Sequence, residues 1–130
     1  MFDALVVDDE EDICEILAEE LGTAGFKAVS AMTGEEALRL SETNEWKLCL
    51  VDLKLATSMT GLDVIRALRA RWPKAVVIAM TGYVDVGLRQ ETEKLGVAAY
   101  FGKPDDIRPE VFKKKIQAIL SQKKQAGNHE

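Results

Sequence analysis

The sequence predicts an α/β protein built as a doubly wound, five-stranded parallel sheet. Along the chain, apolar runs of strand length alternate with segments of helical period, which is the pattern of a parallel sheet covered by helices. The length of 130 residues suits one domain of this kind. Because connections are short and crossovers are right-handed, an open, doubly wound sheet is the simplest way to close five such units.

The first strand and helix are predicted from an apolar run followed by an amphipathic stripe. Residues 2–7 form the run, and the apolar residues after it recur at spacings of three and four. This stripe consists of Ile13, Ile16, Leu17, Leu21 and Ala24. Gly25 is placed to end the helix in a left-handed conformation, and residues 26–31 then indicate the second strand.

A capping pattern marks the start of the second helix. Thr33 and Glu36 are spaced as a capping box, in which each side chain satisfies a free backbone amide at the helix start. Apolar residues at helical spacing continue this helix toward Trp46, and residues 48–51 form the third strand.

The third and fourth units are bounded by recognisable breakers. The stripe of the third helix consists of Leu62, Ile65, Leu68 and Trp72. Pro73 ends this helix because proline disfavours a helical residue before it, and residues 75–80 form the fourth strand. Residues 85–95 predict the weakest helix, since Gly87 costs about 1 kcal/mol relative to alanine.

The fifth strand and the last helix complete the predicted domain. Residues 97–101 are a weaker apolar run, and Pro109 lies near the first turn of the last helix. The core stripe of that helix consists of Val111, Phe112, Ile116, Ile119 and Leu120. We therefore predict a folded domain over residues 1–121 and a polar tail over residues 122–130, with fraying from about Ser121.

Composition and charge argue against several classes of protein. The net charge of −5 disfavours direct binding to nucleic acid, and no apolar stretch reaches the about 18 residues that cross a membrane. No basic segment precedes the first strand, so we expect no signal peptide and a cytoplasmic location. Cys14 and Cys49 lack metal-ligand spacing and are predicted to be buried apolar fillers. The first helix is acidic and the last is basic, which indicates either solvated faces or docking of a partner.

Five polar residues stand at or just past the ends of the apolar runs. They are Asp8, Asp9, Asp52, Thr81 and Lys103. If the runs are parallel strands, these residues gather at the edge where open parallel sheets bind ligands. Two carboxylates about 4 Å apart repel by roughly 4 kcal/mol at an effective dielectric near 20, so three of them require cations. Lys103 supplies one positive charge and Mg²⁺ the rest. Helix capping could explain Asp8 or Asp9 alone, but not the whole set.

This set of groups suits phosphoryl transfer. A carboxylate beside Mg²⁺ and an ammonium can attack phosphorus as a nucleophile and form an aspartyl phosphate. The metal and Lys103 would stabilise charge on the equatorial oxygens of the transition state. Thr81 could hydrogen-bond a phosphoryl oxygen of the product.

The strand-end residues match a known family over about residues 2–120. The matching residues are Val7-Asp8-Asp9-Glu10 after the first strand, Asp52 after the third, Thr81-Gly82 after the fourth, and Tyr100 and Lys103-Pro104 around the end of the fifth. In these motifs and their separations the chain resembles a response-regulator receiver domain of two-component signalling, of the chemotaxis-regulator type. The resemblance implies a flavodoxin-like sheet with strand order 2-1-3-4-5.

The resemblance also implies a role for each member of the cluster. Asp52 is expected to be the phosphoacceptor and, with Asp9, to bind Mg²⁺ directly. Asp8 would hold a metal-bound water, and the backbone carbonyl of Lys54 would complete the protein ligands. Lys103 would pair with the phosphoryl group.

A conformational switch follows from the same resemblance. Thr81 would move toward the phosphoryl group and let Tyr100 rotate inward. The weak fourth helix is the natural two-state element, so the face formed by helix 4, strand 5 and helix 5 would change shape. The expected phosphoryl donors are a sensor histidine kinase or a histidine phosphotransfer protein. We expect a single-domain regulator that is a monomer or dimerises on phosphorylation.

The chain departs from the family pattern around the phosphoacceptor. The family commonly has proline where this chain has Ala56, and residues 56–61 form a stretch about one residue longer than usual. Lys54 and Tyr83 occupy positions that tune hydrolysis of the phosphoaspartate in the family. Because a cationic chain and a bulky ring should obstruct the attacking water, we predict slow autodephosphorylation.

Two other functions stay open from the sequence. A Mg²⁺-dependent phosphohydrolase of the haloacid dehalogenase type would place its nucleophile after the first strand, with a second aspartate two residues on. Here the first-strand acids are adjacent, and Lys54 stands two residues after Asp52. The second alternative is a receiver that acts as an interaction module without phosphorylation, which would not need the intact cluster. We therefore expect no enzymatic turnover beyond self-phosphotransfer and slow autodephosphorylation.

Overall fold

The computed structural model describes residues 2–43, 45–55, 59–82 and 85–128, with side chains as far as Gln122. The strands are β1 (Ala4–Val7), β2 (Ala28–Ala31), β3 (Leu48–Asp52), β4 (Val76–Thr81) and β5 (Ala99–Gly102). The helices are α1 (Glu11–Thr23), α2 (Gly34–Ser41), α3 (Gly61–Arg71), α4 (Val86–Glu93) and α5 (Pro109–Asn128), with a 3₁₀ turn at Asp105–Ile107 that was not predicted. All the strand pairings are parallel, in the order β2-β1-β3-β4-β5, which confirms the predicted fold class and strand order.

Helices cover both faces of the sheet, and each face buries one apolar layer. Strands β1, β3 and β4 are fully buried, whereas β2 and β5 lie at the edges and are partly exposed. The core on one face includes Leu17 of α1 and Phe112 of α5. The core on the other face includes Ala37 of α2 and Leu68 of α3. The sheet is therefore doubly wound, as the alternation of apolar runs and helical stripes predicted.

Both edge strands begin two residues later than predicted. Gly25 ends α1 with φ +96°, which confirms its predicted left-handed conformation. The amide of Lys27 then donates to the side chain of Asp3 (2.8 Å) rather than to a strand partner, and regular pairing starts at Ala28. At the other edge, pairing of β5 starts at Ala99.

The complete capping box lies on a different helix from the predicted one. Thr33 accepts the amide of Glu36 (3.1 Å) as predicted, but the Glu36 carboxylate accepts the amide of Met32 (3.1 Å) instead of that of the cap residue. The reciprocal pair is found at α3, where Thr60 accepts the amide of Asp63 (3.2 Å) and Asp63 accepts the amide of Thr60 (3.1 Å). These bonds fix the start of α3 just after the predicted phosphoacceptor loop.

The last helix and the two cysteines complete the comparison with the sequence. Helix α5 continues to Asn128, beyond Ser121 where fraying was expected. Cys14 and Cys49 are buried and free, as predicted, and burial raises the pKa of Cys49 to about 12. Among the described residues, no helix combines the length and apolar character needed to cross a membrane.

Candidate functional site

The sheet brings the predicted site residues together at its carboxyl edge. Asp8 follows β1, Asp52 ends β3, and Lys103 follows β5. Because these strands are parallel members of one sheet, in the order β1-β3-β4-β5, their C-terminal ends lie at the same edge of the sheet. Asp8 is fully buried, and Asp52 is 3% exposed. Water therefore solvates the charges of these two carboxylates only weakly.

Lys103 joins these two carboxylates. Its Nζ donates to Asp8 Oδ2 and to Asp52 Oδ2, each at 3.0 Å. The remaining oxygens accept backbone amides, since Asp8 Oδ1 is bonded by Glu10 (2.9 Å) and Asp52 Oδ1 by Lys54 (3.0 Å). Every oxygen of the two buried carboxylates thus has a donor, as buried polar groups require.

The charges of this cluster are only partly balanced. Burial raises the pKa of Asp52, and the Lys54 amide and Lys103 oppose that effect without cancelling it. Burial alone would lower the pKa of Lys103, but the hydrogen bonds that it donates to Asp8 and Asp52 outweigh this effect, so the pKa of this ammonium is raised. One ammonium faces more than one carboxylate, and the site therefore favours a further cation.

Three carboxylates converge in a way that fits Mg²⁺. Asp8, Asp9 and Asp52 each offer one oxygen, and these oxygens all lie within 4.8 Å of one another. Hard divalent cations prefer such oxygen ligands, and Mg²⁺ keeps waters or phosphate oxygens in its other positions. Room for these lies alongside, in a cavity of about 440 Å³ that Asp9, Asp52 and Lys103 help to line.

The residues predicted to act around the cluster, among them Lys54 and Thr81, line two neighbouring cavities. Lys54 is exposed and lines the same cavity as Asp52. Thr81 ends β4, is 2% exposed, and lines a neighbouring cavity of about 620 Å³ with Tyr100. Its backbone carbonyl accepts the amide of Lys103 (2.8 Å). Tyr83 and Ala56, the predicted tuning residue and the residue in place of proline, lie outside the described residues.

Tyr100 has its polar end inside the protein. Its hydroxyl is buried, and this burial raises the pKa of Tyr100 although the side chain of Thr81 opposes the shift. The guanidinium of Arg89 on α4 lies 5.1 Å from the centre of the Tyr100 ring, within cation–π range. Arg89 also pairs with Glu93 (3.1 Å), one turn further along α4. The aromatic position is therefore in contact with α4.

Two residues that shape the site were not found from the sequence. Gly61 starts α3 so close to β3 that an added Cβ would meet the Asp52 carbonyl oxygen and lie 2.6 Å from Leu53 Cα. Asp106 accepts the amide of Gly102, the residue before Lys103 (2.8 Å). For Gly61, its position directly after Thr60, a residue type that often caps helices, was a weak signal in the sequence. The sequence carried no comparable signal for Asp106.

The fold and this site define a doubly wound α/β protein whose acidic cluster lies at the carboxyl ends of parallel strands, where proteins of this class bind ligands. The model of the response regulator receiver domain family matches residues 4–117. Sporulation initiation phosphotransferase F of Bacillus subtilis is 31% identical over 103 residues, which are 79% of this chain and 82% of that protein. The chain therefore belongs to the response regulator receiver domain family of two-component signalling, as its motifs predicted.

Solved structures agree with this assignment. A CheY-like response regulator receiver domain protein from Methanospirillum hungatei is 26% identical, with a TM-score of 0.86 over 97% of this chain and 98% of that one. A response regulator from Burkholderia pseudomallei, solved with a phosphorylated aspartic acid, a calcium ion and citrate, is 27% identical with a TM-score of 0.79, over 99% of this chain and 72% of that one. The chain spans only 30% and 23% of the lengths of two other curated relatives.

Proposed function

We propose that this receiver domain is a phosphorylation-driven switch in which Asp52 accepts a phosphoryl group with the help of Mg²⁺. The observation that carries the proposal is the bridge from Lys103 Nζ to Asp8 and Asp52 at 3.0 Å, beside converging carboxylate oxygens. The relative from Burkholderia pseudomallei supports it, since that protein was solved with a phosphorylated aspartic acid and a divalent cation. The proposed donor is a histidine kinase or a histidine phosphotransfer protein, the partners of this family.

The chemical step is an in-line transfer to the carboxylate. An oxygen of Asp52 forms a bond to phosphorus while the bond from phosphorus to the donor breaks, and the donor keeps that electron pair. Lys103 Nζ lies 3.0 Å from Asp52, so it can pair with the carboxylate before the transfer and with the phosphoryl oxygens during and after it. Bound Mg²⁺ would add a second positive charge on the transferring group.

The proposed holders of the metal are those that the family motifs imply. Asp9 and Asp52 would bind it directly, Asp8 would act through a water molecule, and the carbonyl of Lys54 would complete the set. Their support here is chemical, because the three carboxylates offer the hard oxygen ligands that this ion prefers. Asp9 is also half-buried, so it can reach both the cluster and the cavity.

The proposed readout is a movement of α4 and of the face that it forms with β5 and α5. Helix α4 buries only Thr92, and Val86 in its first turn is 67% exposed. Few apolar contacts therefore oppose its displacement. Thr81 and Tyr100 would transmit the change, since both line the cavity beside α4. Reversing a 99:1 preference for the inactive form would take about 5.5 kcal/mol of differential stabilisation.

We do not expect turnover of a separate substrate. A haloacid dehalogenase-type phosphohydrolase needs a second acid two residues after its nucleophile, and this chain has Lys54 at that position. Mg²⁺-dependent release of phosphate from generic phosphate esters at many turnovers per protein would favour that alternative. A family member acting purely as an interaction module is the other alternative.

Phosphorylation of the wild-type protein by a small donor tests the proposal. With acetyl phosphate or phosphoramidate and Mg²⁺, we expect the intact mass to rise by one phosphoryl group, and peptide mapping after borohydride reduction should assign it to Asp52. The same incubation with EDTA should leave the mass unchanged. A wild-type protein that takes up no phosphate from either donor would favour the interaction module.

The rate of autodephosphorylation gives a second prediction. We expect slow hydrolysis, because Lys54 and Tyr83 should obstruct the water that attacks the acyl phosphate. Lys54→Ala and Tyr83→Ala should each shorten the phosphoaspartate half-life several-fold. The matched control is Lys47→Ala, since Lys47 is an exposed lysine that precedes β3 and lies at its opposite end from Lys54. A wild-type half-life of seconds that neither variant changes would contradict the prediction.

A further inference from the structure

Lys103 follows an edge strand, where the sheet supports the backbone from one side only. β5 is the last strand of the sheet and pairs with β4 alone. On that side, the amide of Lys103 donates to the carbonyl of Thr81 (2.8 Å). The amide of the preceding residue, Gly102, is bonded instead by a side chain, the carboxylate of Asp106 (2.8 Å). The Lys103 amide is thus bonded to β4, and the Gly102 amide before it is bonded to the segment that follows β5.

Asp106 uses both of its oxygens. Oδ2 accepts the Gly102 amide, and Oδ1 pairs with Nζ of Lys115 on α5 at 2.7 Å. Lys115 Nζ also lies 5.6 Å from the centre of the Phe101 ring, so the ammonium packs against the strand as well. Burial alone would raise the pKa of Asp106, but Lys115 and the Gly102 amide outweigh it and lower the pKa. The carboxylate therefore ties the end of β5 to α5.

The segment after Lys103 turns back to bring Asp106 into place. The amide of Ile107 donates to the carbonyl of Pro104 (3.2 Å), and the Ile107 side chain is 5% exposed in the core. The far end of the turn is thus anchored by burial. Its near end, at Gly102, is held by Asp106.

We propose that Asp106 is a positioning residue for phosphoryl transfer, which it serves by fixing the backbone from which Lys103 reaches Asp52. This inference rests on the proposed function and deepens it. From its present backbone position the Lys103 side chain reaches both carboxylates at 3.0 Å, so a shift of that backbone changes the geometry of both ion pairs. Without Asp106, the backbone amides at this strand end would keep only their hydrogen bonds to β4. A displacement of about 1 Å in such a group can slow a reaction by up to about 100-fold.

Two variants of Asp106 and one control at the neighbouring residue test this role. Asp106→Ala removes both contacts and should slow phosphorylation by acetyl phosphate about 10-fold at saturating Mg²⁺. Asp106→Asn keeps an oxygen for the Gly102 amide and should stay within about 3-fold of the wild type. The matched control is Asp105→Ala, because Asp105 is the adjacent, exposed acid that pairs with Arg108 on the surface. Its rate should equal that of the wild type.

A Mg²⁺ titration separates positioning from loss of fold. Asp106 touches none of the three clustered carboxylates in the contacts that the structure gives, so the positioning role predicts a slower transfer with an apparent Mg²⁺ affinity that does not fall. General destabilisation predicts a weaker affinity and a lower Tm in parallel with the rate. In a Lys103→Ala background, measured over longer incubations, Asp106→Ala should have no additional effect.

The outcomes distinguish this inference from the function on which it rests. If the wild type is phosphorylated and Asp106→Ala reacts at the wild-type rate, the positioning role is overturned and the proposed function stands. Equal slowing by Asp106→Ala with and without the Lys103 side chain, or a parallel loss of Mg²⁺ affinity, would also overturn it. If the wild type takes up no phosphate, both proposals fail.

Discussion

Replacing Asp52 with asparagine is expected to abolish phosphorylation without lowering the stability of the fold. Asparagine keeps the shape of the side chain and an oxygen for the Lys54 amide, but it has no nucleophilic carboxylate. It also removes a charge that the site holds at a cost, because burial raises the pKa of Asp52 despite its contact with Lys103. The variant should therefore show no mass gain with acetyl phosphate and Mg²⁺, together with a Tm at or above that of the wild type in EDTA.

The pH dependence of stability follows from the same shift. A carboxyl group whose pKa is raised on folding binds its proton more tightly in the folded state. Its ionisation therefore lowers stability as the pH rises from the unfolded pKa of about 4 to the higher folded value, and the loss persists above it. The advantage of Asp52→Asn should be absent below about pH 4 and should grow as the pH rises toward the folded pKa of Asp52, and each 1 kcal/mol of it raises Tm by about 4 °C.

The control for this prediction is another aspartate-to-asparagine change. Asp12 is an exposed acid in the first turn of α1, so Asp12→Asn should keep phosphorylation and lose at most about 1 kcal/mol from the helix dipole. EDTA is needed in the stability measurements because Mg²⁺ would stabilise the wild type by binding to its folded form. Uptake of a phosphoryl group by Asp52→Asn, or a Tm below that of the wild type at pH 7 in EDTA, would contradict the prediction.

A single methyl group at Gly61 is expected to destabilise the protein and to slow phosphorylation together. The added Cβ would lie 2.6 Å from Leu53 Cα and 2.8 Å from the carbonyl carbon of Asp52, which are backbone atoms of the segment that carries the proposed phosphoacceptor. Because no side-chain rotation can relieve this overlap, α3 or the end of β3 must move. Overpacking of this kind costs about 1–3 kcal/mol. The fraction that stays folded should also react slowly, since the displaced backbone carries Asp52, the proposed nucleophile.

Gly22 supplies the matched control for this substitution. It lies in α1, is exposed, and an added Cβ there would have no atom within 4 Å. Alanine favours the helix over glycine by about 1 kcal/mol, so Gly22→Ala should raise the free energy of unfolding and keep the phosphorylation rate. Urea unfolding and acetyl phosphate kinetics on both variants test the pair. Wild-type stability in Gly61→Ala would show that the segment can shift without cost.

The strand-end cluster was predictable because it depends on few and regular rules. Parallel strands place their carboxyl ends together, so Asp8, Asp52 and Lys103 could be brought to one edge from their positions after apolar runs. The structure places them there and shows Lys103 bonded to both carboxylates. The roles that the family motifs assign to them remain predictions that the phosphorylation experiments test.

Local hydrogen bonds were less predictable than strand ends. Thr33–Glu36 and Thr60–Asp63 have the same spacing, yet only the second pair forms the reciprocal bonds. In the first pair, the Glu36 side chain has another free amide within reach at Met32. A spacing rule identifies which groups can bond, whereas the path of the preceding backbone decides which of them do.

The strand order was implied by the resemblance to a known family. Periodicity and the order of polar residues determined the fold class and the place of the acidic cluster. These features follow from the chain's own geometry, since a strand repeats every two residues and a helix every 3.6. Only the tertiary structure decided how Gly61 approaches Asp52, how Arg89 meets Tyr100, and how Asp106 holds the residue before Lys103. Those contacts depend on how packed elements approach one another, and no local repeat in the sequence encodes that distance.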